Sequence, residues 1–136
     1  MKLLNVIFVS CLFFSINITS AFSENKLLFC FNVDSIGQAD WDFNSISFRN
    51  VNKPILCLIL IDKPLIDQRY VTFKLLKENE NCEFELQKVY VYDIKPGWNW
   101  FYYKFYFKKS GVYKVIVEDE NEKFICEDIL RLFLYY

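Results

Sequence analysis

The residues from Lys95 to Glu127 constrain the fold most, because they read as a turn, an aromatic strand, a tight corner, a second strand, a polar hairpin and the start of a third strand. Lys95-Pro96-Gly97-Trp98 opens the stretch. Its proline presets φ at the second position of a type II turn, and its glycine supplies the positive φ required at the third. From Trp98 to Phe107 the alternation puts Phe101, Tyr103, Phe105 and Phe107 on one side. Trp98, Trp100, Tyr102, Lys104 and Tyr106 fall on the other. The phenylalanine side is predicted to face a core. The second side is apolar with polar tips, which suits a surface that is wet or covered by a partner. Gly111–Val117 reads as a second strand, Asp119-Glu120-Asn121-Glu122 as a polar hairpin tip, and Lys123–Leu134 as a last strand. The acidic tip lacks the ligand spacing of a calcium loop.

The chain before this stretch carries the same signals. Ser45–Val51 alternates, with Ile46 and Phe48 on one side. Ile55–Ile61 is continuously apolar between two prolines, the pattern of a short central strand covered on both faces. Tyr70–Lys77 turns Val71, Phe73 and Leu75 one way. After the polar turn Glu78-Asn79-Glu80-Asn81, the segment Cys82–Ile94 returns as the partner of a hairpin. Its phase slips between Leu86 and Val89, so a bulge near Gln87-Lys88 or a break into two strands is expected. Asp34–Asn44 reads as a loop, with the tryptophan of Asp40-Trp41-Asp42 tucked toward the core. These elements number about seven, with turn signals every ten residues or so. The expected fold class is therefore all-β, an antiparallel sandwich of about seven strands.

At the start, Met1-Lys2 precedes an apolar run to Ile18 and small residues around Ala21 and Ser23. This is the layout of a secretory signal peptide, residues 1–23, with cleavage after Ala21 or Ser23. An uncleaved anchor fits less well, because the run is short for a bilayer and is broken by Asn5, Ser10, Ser15 and Asn17. A lipid anchor at Cys11 has only a loose lipobox to support it. The expected organisation is a signal peptide over 1–23, a leader strand or unordered leader with its loop over 24–44, and a sandwich domain over 45–136. Localisation is then secreted or periplasmic. Export leaves Cys30, Cys57, Cys82 and Cys126, an even set that predicts disulfides of three possible connectivities, with buried free thiols as the alternative.

A resemblance emerges at Ser110-Gly111-x-Tyr113-x-Val115. It is similar to the penultimate strand of immunoglobulin-like β-sandwiches, in which a corner tyrosine precedes the core positions. The resemblance implies that Tyr113 is that tyrosine and that Val115 stands where antibody domains place a cysteine. It implies architecture, not activity.

Composition narrows the function classes. The formal charge is −1, with the basic residues scattered, so nothing favours nucleic acid. There is no histidine, which removes histidine-based catalysis and the commonest zinc ligand. No Cys-x-x-Cys pair exists. The carboxylate pairs Glu78/Glu80 and Asp40/Asp42 lie in turns, not in a cleft. Trp-x-Trp-x-Tyr with an aromatic C-terminus resembles membrane-barrel strands, but the chain is short for eight of them. The expected function is a non-catalytic structural or interaction module of the cell envelope or surface, without cofactor or metal. The alternative is a carbohydrate- or ligand-binding module. Either way Trp98, Trp100, Tyr102 and Tyr106 are the expected contacts for a protein partner, a glycan or a second copy.

Overall fold

The computed structural model of the chain describes residues 25–49 and 52–135. The expected signal peptide over 1–23, and Cys11 with it, lies outside the described residues. Among the described residues, nine strands form two sheets. They are β1 (Lys26–Cys30), β2 (Asp42–Phe43), β3 (Ser45–Phe48), β4 (Ile55–Leu60), β5 (Tyr70–Glu78), β6 (Phe84–Asp93), β7 (Trp100–Phe105), β8 (Gly111–Asp119) and β9 (Phe124–Leu134). The four-stranded sheet runs β2-β1-β4-β7, and the five-stranded sheet runs β3-β9-β8-β5-β6. The fold is thus an all-β sandwich. Two strands lie ahead of Ser45, and β3 pairs parallel to β9, so the arrangement is not purely antiparallel. Among the described residues the sheets stay open, with β2 and β7 at the edges of one and β3 and β6 at the edges of the other.

The core lies between the sheets, where the alternation put it. Val71 and Phe73 from β5, Val115 and Val117 from β8, and Phe101 and Phe105 from β7 are all buried. Phe73 stacks on Tyr103 with ring centroids 5.2 Å apart and meets Phe101 and Phe105 edge-on. Offset and edge-on aromatic pairs of this kind add about 0.5–1.5 kcal/mol each beyond simple burial. Strand β4 is central and buried on both faces. Ile55, Cys57 and Ile59 enter the inter-sheet core, while Leu56 and Leu58 join Cys30 in a second apolar cluster on the outside of the four-stranded sheet. The bulge expected near Gln87 is present: Leu75 pairs with Lys88 and Leu76 with Leu86, leaving Gln87 unmatched.

The corner tyrosine sits as the resemblance implied. The Tyr113 hydroxyl donates to the Lys109 carbonyl at 2.7 Å, and its ring packs 4.7 Å from Phe107. This ties the incoming connection to the start of β8.

One turn is used three times. The side chains of Asp34, Asn79 and Asp119 each accept the N–H groups two and four residues ahead, at 2.8–3.0 Å. In each turn the fourth residue is left-handed: Gly37, Cys82 and Glu122, with φ of 82°, 60° and 64°. Asp and Asn start such turns because their short side chains cap the backbone locally.

The expected disulfides are absent. Cys30, Cys57, Cys82 and Cys126 are free thiols. Geometry explains part of this. Phe29 pairs with Cys57 and Cys30 with Leu56, so neighbouring strand positions send Cys30 and Cys57 to opposite faces of the same sheet. Cys82 stands exposed at the β5–β6 hairpin tip. Burial pushes the Cys30 thiol up to about 11 and the Cys126 thiol up to about 12, and raises Cys57 as well.

Candidate functional site: an aromatic cleft at one end of the sandwich

Connections gather at one end of the sheets. The 61–69 segment joins β4 to β5, residues 94–99 join β6 to β7, and residues 120–123 join β8 to β9. Backbone bonds lock the first two together: Ile61 N–H donates to Asn99 O at 2.9 Å and Ile94 N–H to Arg69 O at 2.9 Å. Arg69 also pairs with Glu120 at 3.3 Å, which links the first connection to the third.

Lys95-Pro96-Gly97-Trp98 forms the expected turn, with Trp98 N–H donating to Lys95 O at 3.3 Å and φ of 88° at Gly97. The turn delivers Trp98 to the mouth of a cleft of about 350 Å³. Tyr92, Gly97, Trp98, Asn99, Trp100, Phe101 and Tyr102 line it. Three of the four residues singled out by alternation, Trp98, Trp100 and Tyr102, therefore meet in one place. Tyr106 follows the end of β7 and is not part of the lining; it is 59% exposed.

The three differ in what holds them. Trp98 packs partly against the inter-sheet core. Trp100 packs on the outer cluster with Leu56, Leu58 and Cys30. Gly37 lies flat against its indole, so close that a Cβ there would stand 2.5 Å from Trp100 Cδ2. The chain itself therefore covers one face of Trp100. Tyr102 is 36% exposed.

Tyr92 joins from the opposite sheet. Its ring stacks on Phe101 with centroids 5.9 Å apart. Burial, and then the nearby Tyr102, push its phenol above the usual range. Tyr92 thus keeps its proton at neutral pH and can act as a hydrogen-bond donor. Among the described residues, no carboxylate, amine or thiol lines the cleft. Its side chains offer aromatic faces for stacking and phenol, indole and amide groups for hydrogen bonding.

Other sites look different. The Asp40-Trp41-Asp42 loop is solvated, but its tryptophan does not tuck inward. Trp41 is 61% exposed and leans on Phe43, ring centroids 5.4 Å apart. The two-residue β2 that follows buries Phe43. Asn32 donates to Asp40 at 2.9 Å and holds that carboxyl below its ordinary range. Among the described residues, no group of three His, Cys, Asp or Glu side chains is placed to hold a metal ion. A shallower groove of about 540 Å³ runs along β3, β8 and β9, with Arg131 as its charged side chain.

The comparisons with known proteins agree with the fold and go no further. No protein-family profile matches the sequence, and no curated protein matches it. Among solved structures, an immunoglobulin-like protein from Pseudomonas aeruginosa superposes with a TM-score of 0.52. The match covers 82% of this chain and 98% of that one, at 9% identity. At that identity the likeness shows a shared immunoglobulin-like sandwich and nothing about activity. A superoxide reductase from Ignicoccus hospitalis aligns over 66% of this chain and 75% of its own, at 11% identity and a TM-score of 0.42. A match at that level establishes nothing about this chain.

Tyr92 is the lining residue that alternation along β7 does not find, because alternation cannot tell which sheet a strand joins. The signal that finds it is Tyr90-x-Tyr92 on the strand just before the turn.

Proposed function

We propose that this chain is an exported, non-catalytic interaction module of the cell envelope or surface, and that it holds a protein partner at the aromatic cleft. The observation that carries this reading is the convergence of Trp98, Trp100, Tyr102 and Tyr92 in one open cleft free of ionisable acid or base other than phenols. Tryptophan and tyrosine anchors in partly desolvated pockets are the residues that dominate protein–protein binding energy. Tyr102 on β7 and Tyr106 just past its end are exposed aromatic side chains. The signal-peptide layout of residues 1–23 supports export.

A glycan is the second reading. Two indoles and a phenol beside an amide, Asn99, match how sugar rings are stacked and hydrogen-bonded.

The test is affinity capture from native envelope or medium with wild type, Trp98→Ala and Tyr102→Ala, alongside a glycan array. Trp100→Ala is a poor probe because it uncovers the outer cluster. Loss of one specific protein from both variants, with melting unchanged for Tyr102→Ala, supports the reading. Unaltered capture by both variants refutes it, and array binding that both variants lose moves the assignment to the glycan.

A further inference from the structure

The sheet edges are protected unequally. β2 and β3 end their sheets as strands of two and four residues. β6 ends the five-stranded sheet as a strand of ten residues, with β5 as its only neighbour in that sheet. A long edge strand leaves a row of backbone N–H and C=O groups unpaired and is a template for another strand. The first half of β6 is blunted by the bulge at Gln87. The second half is regular, and its outer face is apolar. Val89 and Val91 are 45% and 63% exposed there.

We infer that two copies of this chain pair through β6, antiparallel, about a two-fold axis at Tyr90. In this register Val89 of each copy faces Val91 of the other, and the four valines close into one outer apolar patch. Lys88 faces the second copy's Tyr92. Its ammonium already lies 5.0 Å from the Tyr90 ring, so it gains a second aromatic neighbour. Gln87 faces Asp93. Other registers that keep the same faces together are worse. An axis at Lys88 sets that lysine against itself. An axis at Val89 sets Val91 against the bulge at Gln87, and an axis at Val91 sets Val89 against Asp93. Like charges directly opposite each other destabilise a strand pair. The self-complementary register is what selects a second copy over a foreign strand. A formal charge of −1 on each chain adds little repulsion between copies. The pairing joins two five-stranded sheets into one continuous sheet. The contact is small, so the dimer is weak and concentration-dependent.

Sedimentation velocity over a concentration series tests this with wild type, Val89→Lys/Val91→Lys and Val89→Glu/Val91→Glu. Both positions are exposed, so the variants keep the fold, which circular dichroism and melting confirm. Wild type is expected to dimerise as concentration rises, and each double variant to dimerise at least about tenfold more weakly. An equimolar mixture of the two variants is expected to regain the dimer, because lysines then face glutamates. A wild type that stays monomeric, a dimer that persists in both variants, or a mixture that stays monomeric overturns the inference. Binding of an added extended peptide at β6 by a monomeric wild type also overturns it and assigns the edge to a foreign strand.

Discussion

Replacing Gly37 and Gly97 by alanine, one at a time, separates two costs that usually come together. Both glycines are left-handed, with φ of 82° and 88°. An alanine in that region costs about 1–2 kcal/mol at either place. Both changes also stiffen the unfolded chain, by a similar about 0.4–1 kcal/mol in the opposite sense. The surroundings differ. A Cβ on Gly97 meets nothing within 4 Å. A Cβ on Gly37 stands 2.5, 2.6 and 2.7 Å from Cδ2, Cγ and Cε2 of the Trp100 ring. The indole is held by the outer cluster beneath it, so the loop must lift, at about 1–3 kcal/mol for overpacking. Gly37→Ala is therefore expected to be less stable than Gly97→Ala by about 1–3 kcal/mol. In urea this separates the midpoints by about 0.5–1.5 M. The lifted loop also wets Trp100, which red-shifts its emission in Gly37→Ala only. Equal midpoints for the two variants would refute the claim that the chain covers Trp100.

Other outcomes follow from the same geometry. Cys82→Gly and Glu122→Gly each relieve a left-handed side chain and are expected to stabilise by about 0.5–1 kcal/mol, read by thermal melting; destabilisation contradicts the shared turn. Tyr113→Phe keeps the ring and removes the 2.7 Å bond to Lys109 O, for an expected loss of about 1–2 kcal/mol in urea unfolding. The buried thiols set an alkaline limit. Their folded values, about 11 for Cys30 and about 12 for Cys126, lie above the ordinary 9.0. Above pH 9.0 the unfolded chain loses protons that the folded chain keeps, so stability is full below that pH and falls as pH rises toward 11 and 12. Urea midpoints across that range check it, with Cys30→Ala expected to flatten the lower part. Thiol labelling of the native protein is expected at Cys82 alone among the described cysteines.

How much of this was legible in the sequence depended on whether a signal was local. Alternation placed Val71, Phe73, Phe101 and Phe105 in the core because a strand period is written into neighbouring residues. The unbroken run of β4 announced cover on both faces, although nothing local said that the 33–39 segment and Trp100 supply the outer cover. Tyr113 was legible because its bond partner, Lys109, is four residues away. The cysteines were not. An even count carries no information about which face each side chain takes, and strand pairing turned Cys30 away from Cys57. Trp41 was misplaced because its loop lies beside a two-residue strand whose shortness no pattern revealed. Of the aromatic row, Trp98, Trp100 and Tyr102 converge, while Tyr106 is separated because β7 ends at Phe105. The repeated turn was readable only afterwards, since Gly37, Cys82 and Glu122 share a backbone conformation and not a chemistry.

Hydrogen–deuterium exchange on the protein with and without its captured partner tests the assignment of the aromatic cleft most directly. The account predicts slowed exchange centred on Asn99, Trp100, Phe101 and Tyr102, with Tyr92 protected from the opposite sheet. Protection confined to β3 and β9, with residues 92–102 unchanged, would contradict it.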